Sequence, residues 1–243
     1  MDGKSFNLSL VLPFYNEEEN IRDVVNGLSV ACEKAHIAYE LVLVNNGSVD
    51  DSASILGDLA KEKPDRIRVI NIPSNQGYGW GIINGFNNAS GEYVGFMSGD
   101  GQTSPEDMLR VFHGMSENFD IVKAKRTVRN DGIARKILSK VCNFLFLALF
   151  NVNTSDVNGS PKILKNELLR KIAPTSKDWF IDAEIVIKAM YLNLKLKEVP
   201  VEFLRREKGR SHVKFSTIFE FAKNMWNYRF GRGFEEWKQA IQK

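Results

Sequence analysis

Two spacings of apolar residues divide the chain. Leu8 to Pro13 (LSLVLP) is a near-continuous apolar run, as expected for a strand covered on both faces. Asn16 offers a cap, with Glu17, Glu18 and Glu19 in the first turn of a helix running to about Ala35. Tyr39 to Asn45 (YELVLVN) reads as a second strand, Ser52 to Glu62 as a helix and Ile67 to Ile72 as a third strand. A glycine-rich loop from Asn75 to Gly81 leads into a helix through Asn88. Tyr93 to Met97 is a fourth strand, which stops at Ser98-Gly99-Asp100-Gly101-Gln102. Thr103 and Ser104 can cap the helix that follows, and Pro105 suits its first turn. Strands and helices alternate with short connections, which predicts a mostly parallel sheet with right-handed crossovers.

Beyond the fourth strand the pattern loosens. Ile121 to Lys125 reads as a strand, Lys165 to Ile172 and Phe180 to Tyr191 as helices, and Leu196 to Phe203 as an edge strand because of its Val-Pro-Val. Between Lys123 and Lys140 lie seven basic residues, Lys123, Lys125, Arg126, Arg129, Arg135, Lys136 and Lys140, against Asp131 alone. They lead into the apolar stretch 141–152, a combination that suits an anionic amphiphile or a membrane surface as well as a core helix. Residues 205–214 form a basic, glycine-containing loop. The last segment alternates aromatic and charged residues, as an amphipathic helix pair would. The expected organisation is a domain over 1–214 and a helical tail over 215–243.

Composition changes this picture little. With 43% hydrophobic residues, 26% charged and a net charge of +3, the chain is ordinary and globular, and a generalised nucleic-acid coat is excluded. Cys32 and Cys142 lie in apolar helical contexts and read as buried thiols of a reducing compartment. His36, His113 and His212 lack zinc-ligand spacing. Asp2, Lys4 and Asn7 interrupt any signal peptide, and the apolar run Phe144 to Phe150 falls far short of the ~20 residues that span a bilayer. The expectation is a cytoplasmic chain, peripheral at the inner face of the membrane.

The candidate chemistry sits in the loops 13–17, 45–51, 74–79 and 98–102, which a doubly wound sheet brings to one crevice. They hold neither G-x-G-x-x-G nor a P-loop. Asp100, a carboxylate between two glycines at a strand end beside basic loops, suits a nucleotide diphosphate bound through a divalent cation. Those residues leave sugar transfer and nucleotidyl transfer both open.

The motifs Pro13-Phe14-Tyr15-Asn16-Glu17, Asn45-Asn46-Gly47-Ser48, Asn75-x-Gly77 and Asp100-Gly101-Gln102 with Pro105-Glu106 resemble, in order and spacing, the family 2 glycosyltransferases of GT-A fold. Within that family the chain is most similar to the polyprenyl-phosphate sugar synthases of the dolichyl-phosphate mannose synthase type, over residues 7–215. The resemblance implies an α/β GT-A fold, Rossmann-like, its mostly parallel sheet flanked by helices. It also implies transfer, with inversion, of a sugar from a nucleotide-diphosphate sugar to a polyprenyl phosphate, assisted by Mg²⁺ or Mn²⁺.

Carried over by position, Pro13, Tyr15, Glu17, Asn46, Gly77, Ser98 and Gly99 fall at the nucleotide, and Asp100 and Gln102 at the metal. Asp100, Arg126 and Arg206 take catalytic positions, with Arg126 facing the phosphates. Arg135 and Ser139 match positions that grip the lipid phosphate. Arg206, Gly209 and Ser211 match a loop that closes over the donor diphosphate, and Ser211 is counted with the acceptor-binding residues.

Two departures stand out. Ser98 replaces the first aspartate of the D-x-D motif, and Asn46 replaces an aspartate that reads the base. One charge fewer is expected to weaken metal binding, and an asparagine, both donor and acceptor, to relax base choice and admit cytosine. Two alternatives stay open at this stage. One is a family 2 enzyme acting on a sugar hydroxyl, with Asp156, Asp182 or Glu184 as base. The other is a non-catalytic subunit of the same fold.

Overall fold

The computed structural model describes residues 6–129, 146–150, 152, 154–206, 208–209 and 216–242. Arg135, Ser139, Cys142, Ser211 and His212, singled out above, lie outside the described residues.

Among the described residues, seven strands form one sheet in the order β3-β2-β1-β4-β6-β5-β7. They are β1 (Leu8–Phe14), β2 (Tyr39–Asn46), β3 (Ile67–Ile72), β4 (Tyr93–Phe96), β5 (Ile121–Arg129), β6 (Lys162–Lys165) and β7 (Leu196–Phe203). β1 pairs in parallel with β2 and β4, β2 with β3, and β5 with β7. β6 runs antiparallel to both of its neighbours, β4 and β5. As its Val-Pro-Val pattern requires, β7 is an edge strand.

Helices cover both faces of the sheet. They are α1 (Ile21–Lys34), α2 (Ser52–Glu62), α3 (Tyr78–Phe86), α4 (Pro105–His113), α5 (Asn166–Ile172), α6 (Ile181–Tyr191), α7 (Ser216–Phe230) and α8 (Arg232–Ile241). The pleat explains the unbroken apolar run of β1. Leu8, Leu10, Leu12 and Phe14 pack with Ile21 and Val25 of α1, Leu56 of α2 and Met108 of α4. Val11 turns to the opposite face, with Ile82 and Phe86 of α3 and Ile185 of α6. On that side Gly85 lets α3 approach closely, because a Cβ there would sit 2.1 Å from Val11 Cγ1.

Three expected boundaries differ. α1 starts at Ile21 rather than at the glutamates. Hydrogen bonds to the next loop draw residues 16–18 out of helical geometry: the Glu17 N–H donates to Ser52 Oγ at 3.0 Å and the Glu18 N–H to Asp50 Oδ2 at 3.2 Å. Asn16, at φ 53°, accepts from Val49 instead of capping the helix. The second difference is β6, which the sequence reading leaves unassigned. Its two lysines in four residues hide a buried strand, and Lys162 is fully buried because it is ion-paired. The third is β5, which continues past Lys125 to Arg129.

The tail packs on the body. Phe221 and Met225 of α7 join Phe146, Phe180 and Val186 in a third apolar cluster. Asn224 donates to Asp178 at 2.7 Å, and the Trp237 indole N–H of α8 donates to the Lys171 carbonyl at 3.1 Å. No helix among the described residues is long and apolar enough to cross a membrane.

Candidate active site

Because β3, β2, β1 and β4 are parallel, their carboxyl ends share one edge, and hydrogen bonds lock the four loops together. The Asn16 N–H donates to Ser48 Oγ at 3.1 Å, and Val49 N–H to Asn16 Oδ1 at 2.9 Å. Gly47, at φ 74°, lies against the Ser74–Asn75 backbone, where a Cβ would come within 2.5 Å of Asn75 N. The Asn46 amide donates to the Gly77 carbonyl at 3.0 Å. A Cβ on Gly99 would fall 2.3 Å from the Phe14 ring. Pro13, Tyr15, Asn46, Gly77, Ser98 and Gly99 therefore lie at or just beyond the strand ends of one sheet edge, with the half-buried Asp100 in the loop after β4.

α4 holds the Asp100 loop from below. Ser104 Oγ accepts the Asp107 N–H at 3.1 Å with Pro105 at the first helical position, so the cap forms at Ser104 as the sequence suggests. The Gln102 N–H donates to Asp100 Oδ1 at 3.1 Å. Gln102 is also clamped to the segment after β7: its side-chain amide donates to the Leu204 carbonyl at 2.9 Å, and the Leu204 N–H donates back to the Gln102 carbonyl at 2.9 Å.

That clamp brings the basic loop across the crevice. The Arg206 guanidinium pairs with the Glu17 carboxylate, with side chains only 14% and 7% exposed. Asn20 donates to Glu17 Oε2 at 2.6 Å, and Lys208 reaches Asp23 at 2.7 Å. Burial raises the Glu17 carboxyl above its ordinary range, Arg206 and Asn20 pull it back, and the Asp100 charge pushes it up again. Glu17, Asp100 and Arg206 thus form one electrostatic group, with two negative charges against one positive.

Arg126 lies under a different loop. Its Nε and Nη2 donate to the Asp156 carboxylate at 2.8 and 2.7 Å, its backbone N–H at 3.0 Å, and the guanidinium sits over the Phe203 ring. Burial alone would raise Asp156, but the Arg126 hydrogen bonds and charge prevail and hold it at about 2. Nearby, Lys123 is fully buried against Glu198 at 2.8 Å. Lys162, level with Lys123 across the β5–β6 ladder, pairs with Asp182. Burial moves Lys162 down and Asp182 up, each partly restored by the other's charge. Glu184 accepts the Ser176 N–H at 2.7 Å and pairs with Lys188 at 2.6 Å.

Sequence reasoning missed these buried cations. Lysines read as solvated by default; Lys123 sits inside the mostly apolar Ile121-Val122-Lys123-Ala124, whereas Lys162 opens its strand and carries no such signal. It also missed the link between the glycine loop and the start of α6. Tyr78 stacks on Trp179, with centroids 4.3 Å apart and planes 15° off parallel, and Gly77, at φ 113°, and Gly79 let the chain touch the 176–178 backbone. Burial raises the Tyr78 hydroxyl, and the charges of Asp182 and Asp100 add to this.

The donor set at Asp100 suits a hard cation that arrives with its diphosphate. Asp100 offers carboxylate oxygens and Gln102 an amide oxygen, and the local charge is net negative. Among the described residues, no cluster of three or more His, Cys, Asp or Glu could hold a metal unaided. Mg²⁺ bound through one carboxylate and substrate phosphates matches that set.

Comparison with known proteins agrees with this geometry. The pattern of Glycosyl transferase family 2 matches residues 9–173. Polyprenol monophosphomannose synthase of Mycolicibacterium smegmatis is 29% identical over 227 residues, 87% of this chain and 82% of that protein. Undecaprenyl-phosphate 4-deoxy-4-formamido-L-arabinose transferase of Salmonella choleraesuis is 30% identical over 216 residues, 87% of this chain, which spans only 64% of that relative's length. Among solved structures, glucosyl-3-phosphoglycerate synthase from Mycobacterium tuberculosis in complex with Mn²⁺, UDP and phosphoglyceric acid has a TM-score of 0.73. It is 19% identical, with 93% of this chain and 79% of that one covered, and speaks for the fold alone. The chain belongs to Glycosyl transferase family 2 and is a glycosyltransferase of GT-A fold.

Proposed function

We propose that the protein transfers a sugar from a nucleotide-diphosphate sugar to a polyprenyl phosphate, with inversion at the anomeric carbon. One observation carries the choice of acceptor. Each of the three carboxylates weighed above as a base toward a sugar hydroxyl is held by a cation: Asp156 by Arg126, Asp182 by Lys162 and Glu184 by Lys188. A hydroxyl acceptor needs a base, whereas a phosphate monoester, with a second pKa of about 6, is already anionic at neutral pH. The relatives named for polyprenol and undecaprenyl phosphate support the same reading.

In this reading the acceptor phosphate oxygen forms a bond to the anomeric carbon as the bond from that carbon to the donor diphosphate breaks, and the electron pair leaves on the nucleotide diphosphate. Pro13, Tyr15, Asn46, Gly77, Ser98 and Gly99 bind the nucleotide. Arg206, turned from Glu17, neutralises the departing diphosphate. Asp100 and Gln102 would hold Mg²⁺ or Mn²⁺, which when bound supplies further positive charge to the leaving group. Arg126 keeps the Asp156 loop in place beside the phosphates, and Arg135, Ser139 and Ser211 receive the lipid phosphate. The helical tail 215–243 flanks this catalytic unit, and the lipid acceptor puts the reaction at the inner face of the membrane with no nucleic-acid partner.

The test is an assay with polyprenyl phosphate and a panel of nucleotide sugars, with and without Mn²⁺. Glycosyl-phospholipid product with at least one donor is expected. No product with any pair, or transfer to sugar hydroxyls that Asp182→Asn abolishes and Arg135→Ala leaves intact, overturns the reading.

A further inference from the structure

α7 carries one face that the core does not take. Phe221 and Met225 are buried, whereas Trp226 and Phe230 are 61% and 58% exposed, and no other aromatic ring among the described residues is as exposed. One turn apart, the two rings lie with centroids 4.4 Å apart. They form a single apolar knob rather than two scattered residues.

The surroundings of the knob indicate its partner. Lys223, Arg229 and Arg232 are exposed around it, and no acidic residue occurs between Phe221 and Phe234. The Arg229 guanidinium sits over the Phe230 ring at 5.4 Å, and its Nε donates to the Leu149 carbonyl at 3.1 Å. That bond joins the knob to helical residues 146–150, the end of the apolar stretch that follows the basic segment. Phe150 continues the contact toward Tyr228, at 6.2 Å between ring centroids. Aromatic rings ringed by lysine and arginine fit the bilayer interface: rings settle at headgroup depth while the cations meet lipid phosphates.

We infer that Lys223, Trp226, Arg229, Phe230 and Arg232 form a membrane-docking surface, with Trp226 and Phe230 seated in the interface of a bilayer containing anionic lipid. The inference rests on the lipid-acceptor reading only for the reason a membrane lies nearby, and its test uses neither donor nor acceptor.

The full chain is floated with phosphatidylcholine vesicles, with and without phosphatidylglycerol and free of polyprenyl phosphate. Binding is expected to require phosphatidylglycerol. Trp226→Ser with Phe230→Ser should weaken it by ~10-fold or more. Lys223→Glu with Arg232→Glu should weaken it by at least roughly fivefold per residue changed. Both variants should keep the parent's circular dichroism spectrum and thermal unfolding midpoint, which shows that they fold. Failure of the parent to bind vesicles, or double variants that bind as it does, overturns the inference. So does a parent dimer in light scattering that Trp226→Ser with Phe230→Ser converts to monomer, since the knob is then a contact between copies. A chain that binds vesicles yet transfers no sugar leaves this surface standing and refutes the reaction instead.

Discussion

The Asn46 side-chain amide donates to the Gly77 carbonyl at 3.0 Å, and this bond fixes which way the asparagine faces. Asn75 Oδ1, identified as the oxygen because it accepts the Gly77 N–H at 2.8 Å, lies on the same side of Asn46 Nδ2. Both neighbours are acceptors, so the nitrogen must point at them, and Asn46 Oδ1 is left buried without a partner. In the proposed reading this buried oxygen, an acceptor as in an aspartate, is the atom that the donor base would have to reach. The donor that would have admitted cytosine is already used.

Base choice follows from that orientation. Uracil, thymine and guanine carry a ring N–H that Asn46 Oδ1 can accept, whereas cytosine would set one acceptor against another. UDP, dTDP or GDP should bind at least ~10-fold more tightly than CDP, the cost of leaving a buried polar pair unmade. Asn46→Asp should keep the preference and Asn46→Leu should erase it. Calorimetric titration with the four diphosphates measures this, and equal affinity for CDP in the parent refutes it.

Glu17 and Arg206 form a nearly buried pair, and removing one partner strands the other. Arg206→Ala should destabilise the fold by roughly 3 kcal/mol and weaken nucleotide-diphosphate binding. Adding Glu17→Gln should recover much of the stability but not the diphosphate affinity, because the arginine charge is still missing. Thermal unfolding and calorimetry on the single and double variants separate the two effects. If the double variant regains affinity, Arg206 does not meet the diphosphate.

Asp100 and Ser98 give opposite predictions at one strand end. Asp100→Ala should abolish Mn²⁺-dependent tightening of nucleotide-diphosphate binding and reduce transfer by at least ~100-fold, as loss of a charge-stabilising group does. Ser98→Asp supplies a second carboxylate and should lower the Mn²⁺ concentration needed for half-maximal binding. Metal titrations of nucleotide binding read both, and full transfer by Asp100→Ala would refute the metal role given to it.

Acid sensitivity should centre on Glu198, held at about 2 against its own burial chiefly by the Lys123 charge, and on Asp156, which Asp156→Asn isolates. The Asp156 carboxyl is held at about 2, below the ordinary 3.8. A depressed carboxyl stabilises the fold above its unfolded pKa, and that contribution is lost as pH falls through the folded value. Asp156→Asn should therefore cost roughly 2 kcal/mol at neutral pH, with the gap from the parent closing between about pH 4 and pH 2. Urea unfolding across that range tests it, and a gap constant with pH would show that Arg126 does not depend on the Asp156 charge.

The parallel half of the fold was legible because its strands announce themselves. The apolar runs of β1, β2 and β3, each ending in turn residues, place four loops at one edge with no further information. The second half was harder to read. β6 carries two lysines, the buried Lys162 paired with Asp182 and the half-buried Lys165 with Asp120, both partners distant in sequence, so no local pattern marks it as a strand. In the same way Asp100, Asn46 and Gly77 could be placed in loops at that edge from their turns. That Glu17 faces Arg206 could not, because the pair is separated by 189 residues and meets only when the segment after β7 crosses to Gln102.

The reversed direction of β6 has a consequence for how the crevice can change. In a purely parallel sheet only loops that leave strands reach the binding edge. β6 instead delivers the loop that enters it: Lys162 lies level with Phe96, and Ser160 Oγ donates to the Phe96 carbonyl at 3.4 Å, just before Ser98 and Asp100. One arriving loop thus sits between departing loops, those of β1 and β4 on one side and those of β5 and β7 on the other. Substitutions in residues 156–161 can therefore change what borders the Asp100 loop while the strands β1 to β4 keep their register.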